Sequence, residues 1–307
     1  MRNTFAKVLT EEAKKDESIV LLSGDIGNRM FDEFKKICGS SRYINCGIAE
    51  SNMMSVAAGM ALSGLKPIVY TITPFTTTRC LEQIKIGVCY HDAPVTIIGT
   101  GSGLSYSELG PTHHSLEDIA ILNCLPNIQI LTPSDSLELD AQLRDALMKK
   151  KPTYMRIGKK GEPDLHINKK NLGIGKANML KNGKGVLILG IGPIINEAIK
   201  ASNQLLNDGI NVGVLNIGSI RPLDEKTLQN CYKSNYHTWI TLEEHSLTGG
   251  LSTTIGNWLN NCKEYKKINF INMGTPNEFI NKLGDQAYSR KILGIDSTGI
   301  INLIRSL

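Results

Sequence analysis

The chain has 307 residues, of which 41% are hydrophobic, 21% charged and 6% aromatic. This composition describes a globular chain long enough for two domains, and it excludes a fibrous or disordered protein. No stretch approaches the roughly 18 consecutive apolar residues of a membrane span, and the first residues lack the apolar core of a secretion signal, so we expect a cytoplasmic protein. The 34 basic and 29 acidic residues form no basic stripe, which argues against nucleic-acid binding.

Short apolar runs alternate with amphipathic segments along the chain, a pattern typical of mainly parallel sheets covered by helices. In the first half we predict a helix at 4–15, a strand at 19–23, a helix at 50–63, strands at 67–72, 95–99 and 128–131, and a helix at 137–149. In the second half we predict strands at 186–190, 212–217, 238–242 and 268–273, and helices at 194–207, after 223, at 251–261 and from 300. The stretch between 156 and 180 lacks a sustained apolar face and predicts an interdomain connection. We place the domains at 1–160 and 181–307, with a linker at 161–180.

Glu50 begins the predicted helix 50–63, and two interpretations of this carboxyl remain open. An acidic residue at a helix N-terminus is stabilised by the helix dipole, which requires no further function. Alternatively, Met53, Met54 and Val56 leave little water nearby, which would raise the pKa of the Glu50 carboxyl and let it share a proton.

Phe75 and Arg79 follow a predicted strand, at a position where open α/β sheets bind ligands. Phe75 is compatible with a core position or with a stacking platform. Arg79 and Arg156 could each clamp an anion or belong to a structural ion pair. The glycine-rich segment 99–106 also follows a strand, but it lacks a complete nucleotide-binding fingerprint and predicts a mobile loop.

His113 and His114 follow a rigid Gly-Pro turn. Adjacent side chains point in different directions and no third ligand has a zinc-like spacing, so we predict no metal site in this chain. One histidine could serve as a proton shuttle or hydroxyl ligand, while surface or capping roles remain open.

An ordered series of segments covers essentially the whole chain and resembles the transketolase family. The segments that resemble its pyrimidine-binding domain are GIAES, KPIVYTITPFTTTRCLEQI, GPTHHSLEDIAILNCLPNIQILTPSD and PTYMRIGK. Those that resemble the C-terminal domain of transketolases and deoxyxylulose phosphate synthase are IGSIRPLDEKTL, TLEEHSLTGGLSTTIGNWL and IDSTGIINLIRSL. The resemblance implies two three-layer α/β domains, a thiamine-diphosphate-binding fold of the pyrimidine type followed by a transketolase C-terminal-like domain.

The family binds the diphosphate of thiamine diphosphate through a metal held by a Gly-Asp-Gly sequence in a separate domain. This chain contains no Gly-Asp-Gly, and its nearest phrase is Ser-Gly-Asp-Ile-Gly at 23–27. The chain therefore resembles the C-terminal subunit of a split transketolase. The resemblance implies a partner subunit that carries the diphosphate and Mg²⁺ site, in an α2β2 assembly.

Carried over by resemblance, Glu50 matches the glutamate that hydrogen-bonds the aminopyrimidine ring of the cofactor. Phe75 matches the aromatic residue that stacks on this ring, and Arg79 falls where split transketolases carry an arginine. Asp25 matches an acidic residue that lines the cofactor pocket. The resemblance implies that a protonated Glu50 favours the imino tautomer needed for catalysis.

The substrate residues implied by the resemblance are His113, which contacts a substrate oxygen, and Arg2 and Arg156, which hold a sugar phosphate. Leu109 replaces the usual aspartate of the Asp-Gly-Pro-Thr-His motif, and Gly101 stands where single-chain transketolases have a histidine. A substrate hydroxyl buried against Leu109 would lose a hydrogen-bond partner, at a cost of about 1–3 kcal/mol. We therefore expect a deoxy, keto-acid or otherwise modified sugar substrate.

The resemblance implies a thiamine-diphosphate-dependent, transketolase-like transferase that moves a two-carbon ketol or related acyl unit between sugar-type substrates, as one subunit of a heteromer. Two alternatives remain. The chain could be a noncatalytic binding or regulatory subunit with the same fold, because two substrate positions are altered. It could also be a dinucleotide-binding oxidoreductase, which its glycines and alternating pattern would allow.

Overall fold

The computed structural model describes residues 1–166, 171–262, 266–282 and 284–307, and these form two β-sheets flanked by helices. The strands are β1 Ile19–Ser23, β2 Tyr43–Asn45, β3 Lys66–Ile72, β4 Thr96–Thr100, β5 Gln129–Leu131, β6 Thr153–Ile157, β7 Asn178–Lys181, β8 Gly185–Gly190, β9 Gly213–Asn216, β10 Ser219–Arg221, β11 Tyr236–Ser246 and β12 Asn269–Thr275. The helices are α1 Arg2–Lys15, α2 Asp32–Cys38, α3 Glu50–Leu62, α4 Thr73–Thr76, α5 Leu81–Gln83, α6 Asp118–Asn123, α7 Ser136–Lys149, α8 Ile195–Asn207, α9 Glu225–Lys233, α10 Leu251–Asn260, α11 Gln286–Ile292 and α12 Ser297–Arg305. A π-helix occupies Ile84–Tyr90.

The first sheet has the strand order β10-β5-β6-β4-β3-β1-β2, and its strands are parallel except β10. Successive side chains of a strand point to opposite faces. Leu21 of β1 therefore packs in a cluster with Phe5 of α1 and Leu139 of α7, whereas the next residue, Leu22, packs in a cluster with Met53 of α3. Helices cover both faces, which confirms the predicted three-layer α/β architecture of this domain.

The second sheet has the order β12-β11-β8-β9-β7, with β7 antiparallel and the other strands parallel. Ile188 of β8 packs in a cluster with residues of α8 and α12, and Leu187 packs in a cluster with residues of α9 and α10. This second three-layer unit confirms the α/β class predicted for the second half. Among the helices of the described residues, none combines the length and apolar character needed to cross a membrane.

Strand β10 belongs to the second half of the chain but pairs antiparallel with β5 at the edge of the first sheet. Ser219 faces Leu131 and Arg221 faces Ile130 in this pairing. The cause is geometric, since β5 leaves an edge that the chain returning from β9 can reach. The second half therefore contributes to both sheets, and the boundaries at 160 and 181 stay a proposal for dividing the chain.

The N-cap of α7 anchors the start of the predicted linker. Asp135 accepts hydrogen bonds from the backbone N–H groups of Glu138, Leu165 and His166, and its Oδ2 lies 2.8 Å from His166 Nδ1. Burial lowers the pKa of His166, but the hydrogen bond to Asp135 and the negative charges of Glu138 and Asp135 outweigh it, so the net shift is upward. A protonated His166 therefore stabilises the fold.

We expect His166→Gln to lower the free energy of unfolding by about 1–2 kcal/mol below pH 6, because the charged hydrogen bond to Asp135 is lost. Since the folded-state pKa is raised above the ordinary 6.5, this contribution is complete below 6.5 and disappears as the pH rises through the folded-state value. Urea denaturation at pH 5.5 and pH 9 measures it. The exposed His91→Gln is the control, and an equal loss at both pH values in His166→Gln would contradict the charged pair.

Candidate active site

The carboxyl ends of four neighbouring strands meet at one edge of the first sheet. Strands β1, β3, β4 and β6 are adjacent and parallel, so the residues that follow them lie side by side. Asp25 follows β1, Phe75 lies in α4 directly after β3, Gly101 follows β4, and Arg156 is the penultimate residue of β6. The edge thus brings together residues that are widely separated in the sequence.

Glu50 is the first residue of α3 and is only 3% exposed. The backbone of Gly24 packs against it, since a Cβ at position 24 would lie 3.2 Å from Glu50 Cγ. Glu50 Oε1 accepts a hydrogen bond from Arg79 Nη1 at 2.8 Å. The chain by itself therefore removes most water from this carboxyl and supplies a cationic partner for it.

Arg79 also lies over the ring of Phe75, with its guanidinium carbon 4.2 Å from the ring centroid. On another side, the ring of Phe75 contacts the imidazole of His113 edge-on, with centroids 5.4 Å apart. Four of the predicted site residues thus form one continuous row: Glu50, Arg79, Phe75 and His113. A planar group stacked on the ring that Arg79 covers would displace this half-exposed side chain.

The two adjacent histidines have separate roles. His113 is half-buried, and its Nδ1 lies 2.9 Å from Thr112 Oγ1. Burial and the neighbouring His114 lower the pKa of His113, so its imidazole is neutral near pH 7 and can donate or accept a hydrogen bond. His114 is buried, and its Nε2 lies 3.1 Å from the carbonyl oxygen of Ser107. Of the two histidines, His113 is the one that belongs to the row with Phe75.

Asp25 lies at the rim of the site. It is exposed, adopts a left-handed backbone conformation with φ of 55°, and accepts a hydrogen bond from Asn45 Nδ2 at 3.1 Å. Its neighbour Gly24 contacts Glu50, so Asp25 is close to that carboxyl along the chain. Its carboxylate is therefore open to solvent, and its predicted role in lining the cofactor pocket stays a prediction.

Arg2 and Arg156, both predicted to hold a sugar phosphate, have different surroundings. Arg2 is half-buried, and its Nε donates to the carbonyl oxygen of Lys159 at 2.5 Å. Arg156 is 3% exposed and its Nε donates to Asp118 Oδ2 at 2.8 Å. The Nη2 of Arg156 donates to the carbonyl oxygens of Ser115 and Glu244. A phosphate would reach Arg156 only after these contacts broke, so the phosphate-binding role of this arginine stays a prediction.

Tyr106 is a site residue that the sequence analysis missed. A Cβ at Gly101 would lie 2.0 Å from Tyr106 Cε2, so the tyrosine ring fills the space next to the glycine. The centroid of this ring lies 6.1 Å from that of His113, and Lys159 Nζ lies 4.3 Å from it on one face. Leu109 is 48% exposed on the same loop. The sequence signal that could have indicated this contact is the large aromatic Tyr106, five positions after Gly101, which stands where relatives have a histidine.

We expect Gly101→Ala to destabilise the chain in two ways. A φ of +72° costs a non-glycine residue about 1–3 kcal/mol, and the overlap with Tyr106 adds about 1–3 kcal/mol. In the Tyr106→Ala background, Gly101→Ala should cost only the free energy of the strained φ, because the overlap with the tyrosine ring is gone. A double-mutant cycle by urea denaturation measures the difference. The control is Gly64→Ala, where φ is +95° and no atom lies within 4 Å of the added carbon. If Gly101→Ala costs no more than this control, the tyrosine does not restrict position 101.

Within the described part of the chain, no group of three or more His, Cys, Asp or Glu side chains is arranged to hold a metal ion. The polar groups at the strand edge are instead one buried carboxyl, a neutral imidazole and several cations. This donor set suits an organic ligand with a planar ring and an anionic substrate.

Comparisons with known proteins show the family of this chain. The sequence pattern of the transketolase pyrimidine-binding domain matches residues 1–162, and that of the transketolase C-terminal domain matches residues 175–300. One of the subunits of the apulose-4-phosphate transketolase of Actinobacillus succinogenes is 33% identical over 266 residues, which cover 87% of this chain and 85% of that protein. The 1-deoxy-D-xylulose-5-phosphate synthase of Aquifex aeolicus is 32% identical over 99% of this chain and 48% of its own length.

A solved structure gives the same result. A split-gene transketolase, described as an inactive beta4 tetramer, superposes with a TM-score of 0.85 and 27% identity over 99% of this chain and 96% of that one. The fold is that of the pyrimidine-binding and C-terminal domains of transketolases. The chain belongs to the transketolase family and is a transketolase-like subunit, which confirms the resemblance found in the sequence.

Proposed function

We propose that this chain is the C-terminal subunit of a heteromeric transferase that depends on thiamine diphosphate and moves a two-carbon ketol unit between sugar-type substrates. The observation that supports this most is the buried Glu50, which lies in one row with Phe75 and His113. A purely structural subunit has no need of a carboxyl kept from water beside a stacking ring and a neutral imidazole. Family membership argues against the alternative of a dinucleotide-binding oxidoreductase.

The residues present fit one end of the cofactor. Thiamine diphosphate, when bound, supplies a stabilised carbanion that accepts and transfers the two-carbon unit. Glu50 would hold a proton on its carboxyl and donate it in a hydrogen bond to a nitrogen of the aminopyrimidine ring. Phe75 would stack on this ring, and Arg79 would leave both Glu50 and the Phe75 face. Asp25 would line the rim of the same pocket.

The substrate end lies on the other side of His113. His113 would contact a substrate oxygen through its neutral imidazole, and Arg2 with the nearby Lys159 would attract an anionic group. Leu109, which replaces the aspartate of the family's motif, is 48% exposed, and the neighbouring Glu108 is paired with Lys159 at 3.0 Å. We therefore propose an anionic or phosphorylated sugar that lacks, or has modified, the hydroxyl facing Leu109.

An exposed apolar surface next to Glu50 supports a partner subunit. Ile48 is 79% exposed just before α3, and on the adjacent π-helix Ile86 is 46% and Tyr90 is 75% exposed. Large exposed apolar side chains on neighbouring elements are typical of protein interfaces. We propose that an N-terminal transketolase subunit carrying the diphosphate and Mg²⁺ site covers this surface, in an α2β2 complex. The cytoplasmic location stays a prediction from the sequence.

Reconstitution tests this function. The chain, a purified N-terminal subunit of a split transketolase, thiamine diphosphate and Mg²⁺ should together transfer a two-carbon unit from a panel of ketose phosphates to aldehyde acceptors. Each subunit alone should be inactive. Light scattering of the active complex should give the mass of two copies of each chain. A complex that binds the cofactor but transfers nothing from any donor would favour the noncatalytic alternative.

A further inference from the structure

The loop at 103–115, called the substrate loop below, carries Tyr106, Leu109 and His113. It is closed at its base by an isolated antiparallel bridge between Gly103 and Ser115, in which Ser115 N donates to Gly103 O at 3.1 Å. Loops of this kind are held in place by contacts at their ends and along one side. The structure shows that many of these contacts come from the second half of the chain.

Glu244 of β11 makes the central contact. Its Oε2 accepts a hydrogen bond from the backbone N–H of Leu104 at 3.2 Å, and the residue is only 4% exposed. The backbone of Gly103 lies directly against this side chain, since an added Cβ would be 2.5 Å from Glu244 Oε2. The positive φ of +62° at Gly103 and this close approach both require glycine. Glu244 thus fixes the first end of the loop.

The backbone of Glu244 reaches the other end of the loop. Its carbonyl oxygen accepts from Arg156 Nη2 at 2.7 Å, and the same nitrogen donates to the carbonyl oxygen of Ser115 at 2.9 Å. One residue of the second sheet is therefore connected to both ends of the substrate loop.

Helix α11 orients the Glu244 carboxylate. Arg290 Nε donates to Oε1 at 2.5 Å, and Gln286 Nε2 lies 3.0 Å from both oxygens. Ser289, which precedes Arg290 in this helix, shares a hydrogen bond with Ser107 of the loop. A carboxylate that is buried and held by three donors has little freedom to rotate. The position of the loop therefore depends on α11 as well.

We propose that Glu244 is a positioning residue of the transfer reaction, and that the C-terminal domain acts through it to hold His113 and Leu109 in register with the cofactor pocket. The effect on the reaction rests on the proposed function, whereas the effect on the loop does not. Loss of the carboxylate frees the N–H of Leu104 and lets the substrate loop open, while Glu50 and its contact with Arg79 lie outside this loop.

Hydrogen–deuterium exchange of the full chain tests the effect on the loop. Glu244→Ala should raise exchange at the backbone N–H groups of 104–114 by about tenfold or more, because a hydrogen bond to a charged group is lost. Glu197→Ala is the matched control, since Glu197 also pairs with Arg290, at 3.8 Å, and binds Lys200 and Ser297 but not the loop. Glu244→Gln keeps an acceptor oxygen for Leu104 and should give a smaller rise. Unchanged loop exchange in Glu244→Ala, or an equal rise in Glu197→Ala, would overturn the proposal.

Kinetics of the reconstituted complex test the effect on the reaction. Glu244→Ala should raise KM for the sugar substrate by about tenfold, with the affinity for thiamine diphosphate and the exchange rate of its reactive ring proton unchanged. A general folding defect would instead weaken cofactor binding and slow the ring-proton exchange as well, and it would lower the melting temperature of the variant. If the wild-type complex transfers nothing, the proposed function fails, and the exchange experiment still decides the role of Glu244. Unaltered KM and kcat in Glu244→Ala would overturn the positioning role.

Discussion

Glu50→Gln is expected to lower the transfer activity of the reconstituted complex by about 10²–10⁴-fold, the usual contribution of a positioned acid or base. Glutamine preserves the shape of this buried side chain and can still contact Arg79. It has no carboxyl proton, so it could not make the hydrogen bond that Glu50 would donate to the aminopyrimidine ring when the cofactor is bound. Steady-state rates at saturating cofactor, together with deuterium exchange of the reactive ring proton of thiamine diphosphate, measure the loss.

The control for this prediction is Glu82→Gln. Glu82 is an exposed acid on α5, close in sequence to Arg79, and it bonds only to its neighbour Gln83 in the described hydrogen bonds. Its substitution should leave the rate within about twofold of wild type. Near wild-type activity in Glu50→Gln would refute the proposed catalytic role of this carboxyl.

Asp118→Asn is expected to have the largest effect on stability, about 3–5 kcal/mol. Asp118 is buried, and its Oδ2 accepts hydrogen bonds from Arg156 Nε at 2.8 Å and from the Tyr154 hydroxyl at 2.5 Å. Burial by itself would raise the pKa of Asp118. The positive charge of Arg156 is the largest of the interactions that oppose burial, and together they hold the pKa of Asp118 below its usual value. The asparagine removes the carboxylate and leaves the Arg156 guanidinium buried without its charge partner. Urea denaturation at pH 7 measures the loss.

Two further variants separate the buried pair from ordinary ion pairs. Asp92→Asn breaks the surface pair with Lys151, both partners being more than 40% exposed, and should cost less than about 1 kcal/mol. Asp118→Leu combined with Arg156→Met removes both buried charges and should recover part of the stability. The Asp118 contribution should also fall as the pH drops below the ordinary carboxyl value of 3.8. A loss in Asp118→Asn no larger than that in Asp92→Asn would contradict the buried pair.

Much of the fold could be predicted from local patterns. Helix α3 begins at Glu50, as predicted, and β1 has the predicted bounds Ile19–Ser23. Strand β3 was predicted one residue short, and α8 one residue too long at its start. These elements bury a continuous or periodic apolar face, so the residues that define them are neighbours in the sequence. The structure brings the predicted site residues Glu50, Arg79, Phe75 and His113 into one row, and their roles stay predictions.

Other features depended on contacts between distant segments. Strand β6 was not predicted, because its apolar pattern is interrupted by Arg156, whose charge is neutralised only by Asp118 after folding. The edge strand β10 has three residues and no apolar alternation, and it forms because β5 offers it a free edge.

At the site, local sequence identified Gly101 as a departure from the family but not the Tyr106 ring that fills the space beside it. It likewise gave no reason to connect Glu244 with a loop 140 residues earlier in the chain. Periodicity in the sequence reports which face of an element is apolar, and so it predicts class, order and most strand positions. Partners for buried charges and close packing against glycine involve two distant segments at once, and these are decided only when the chain folds and those segments meet.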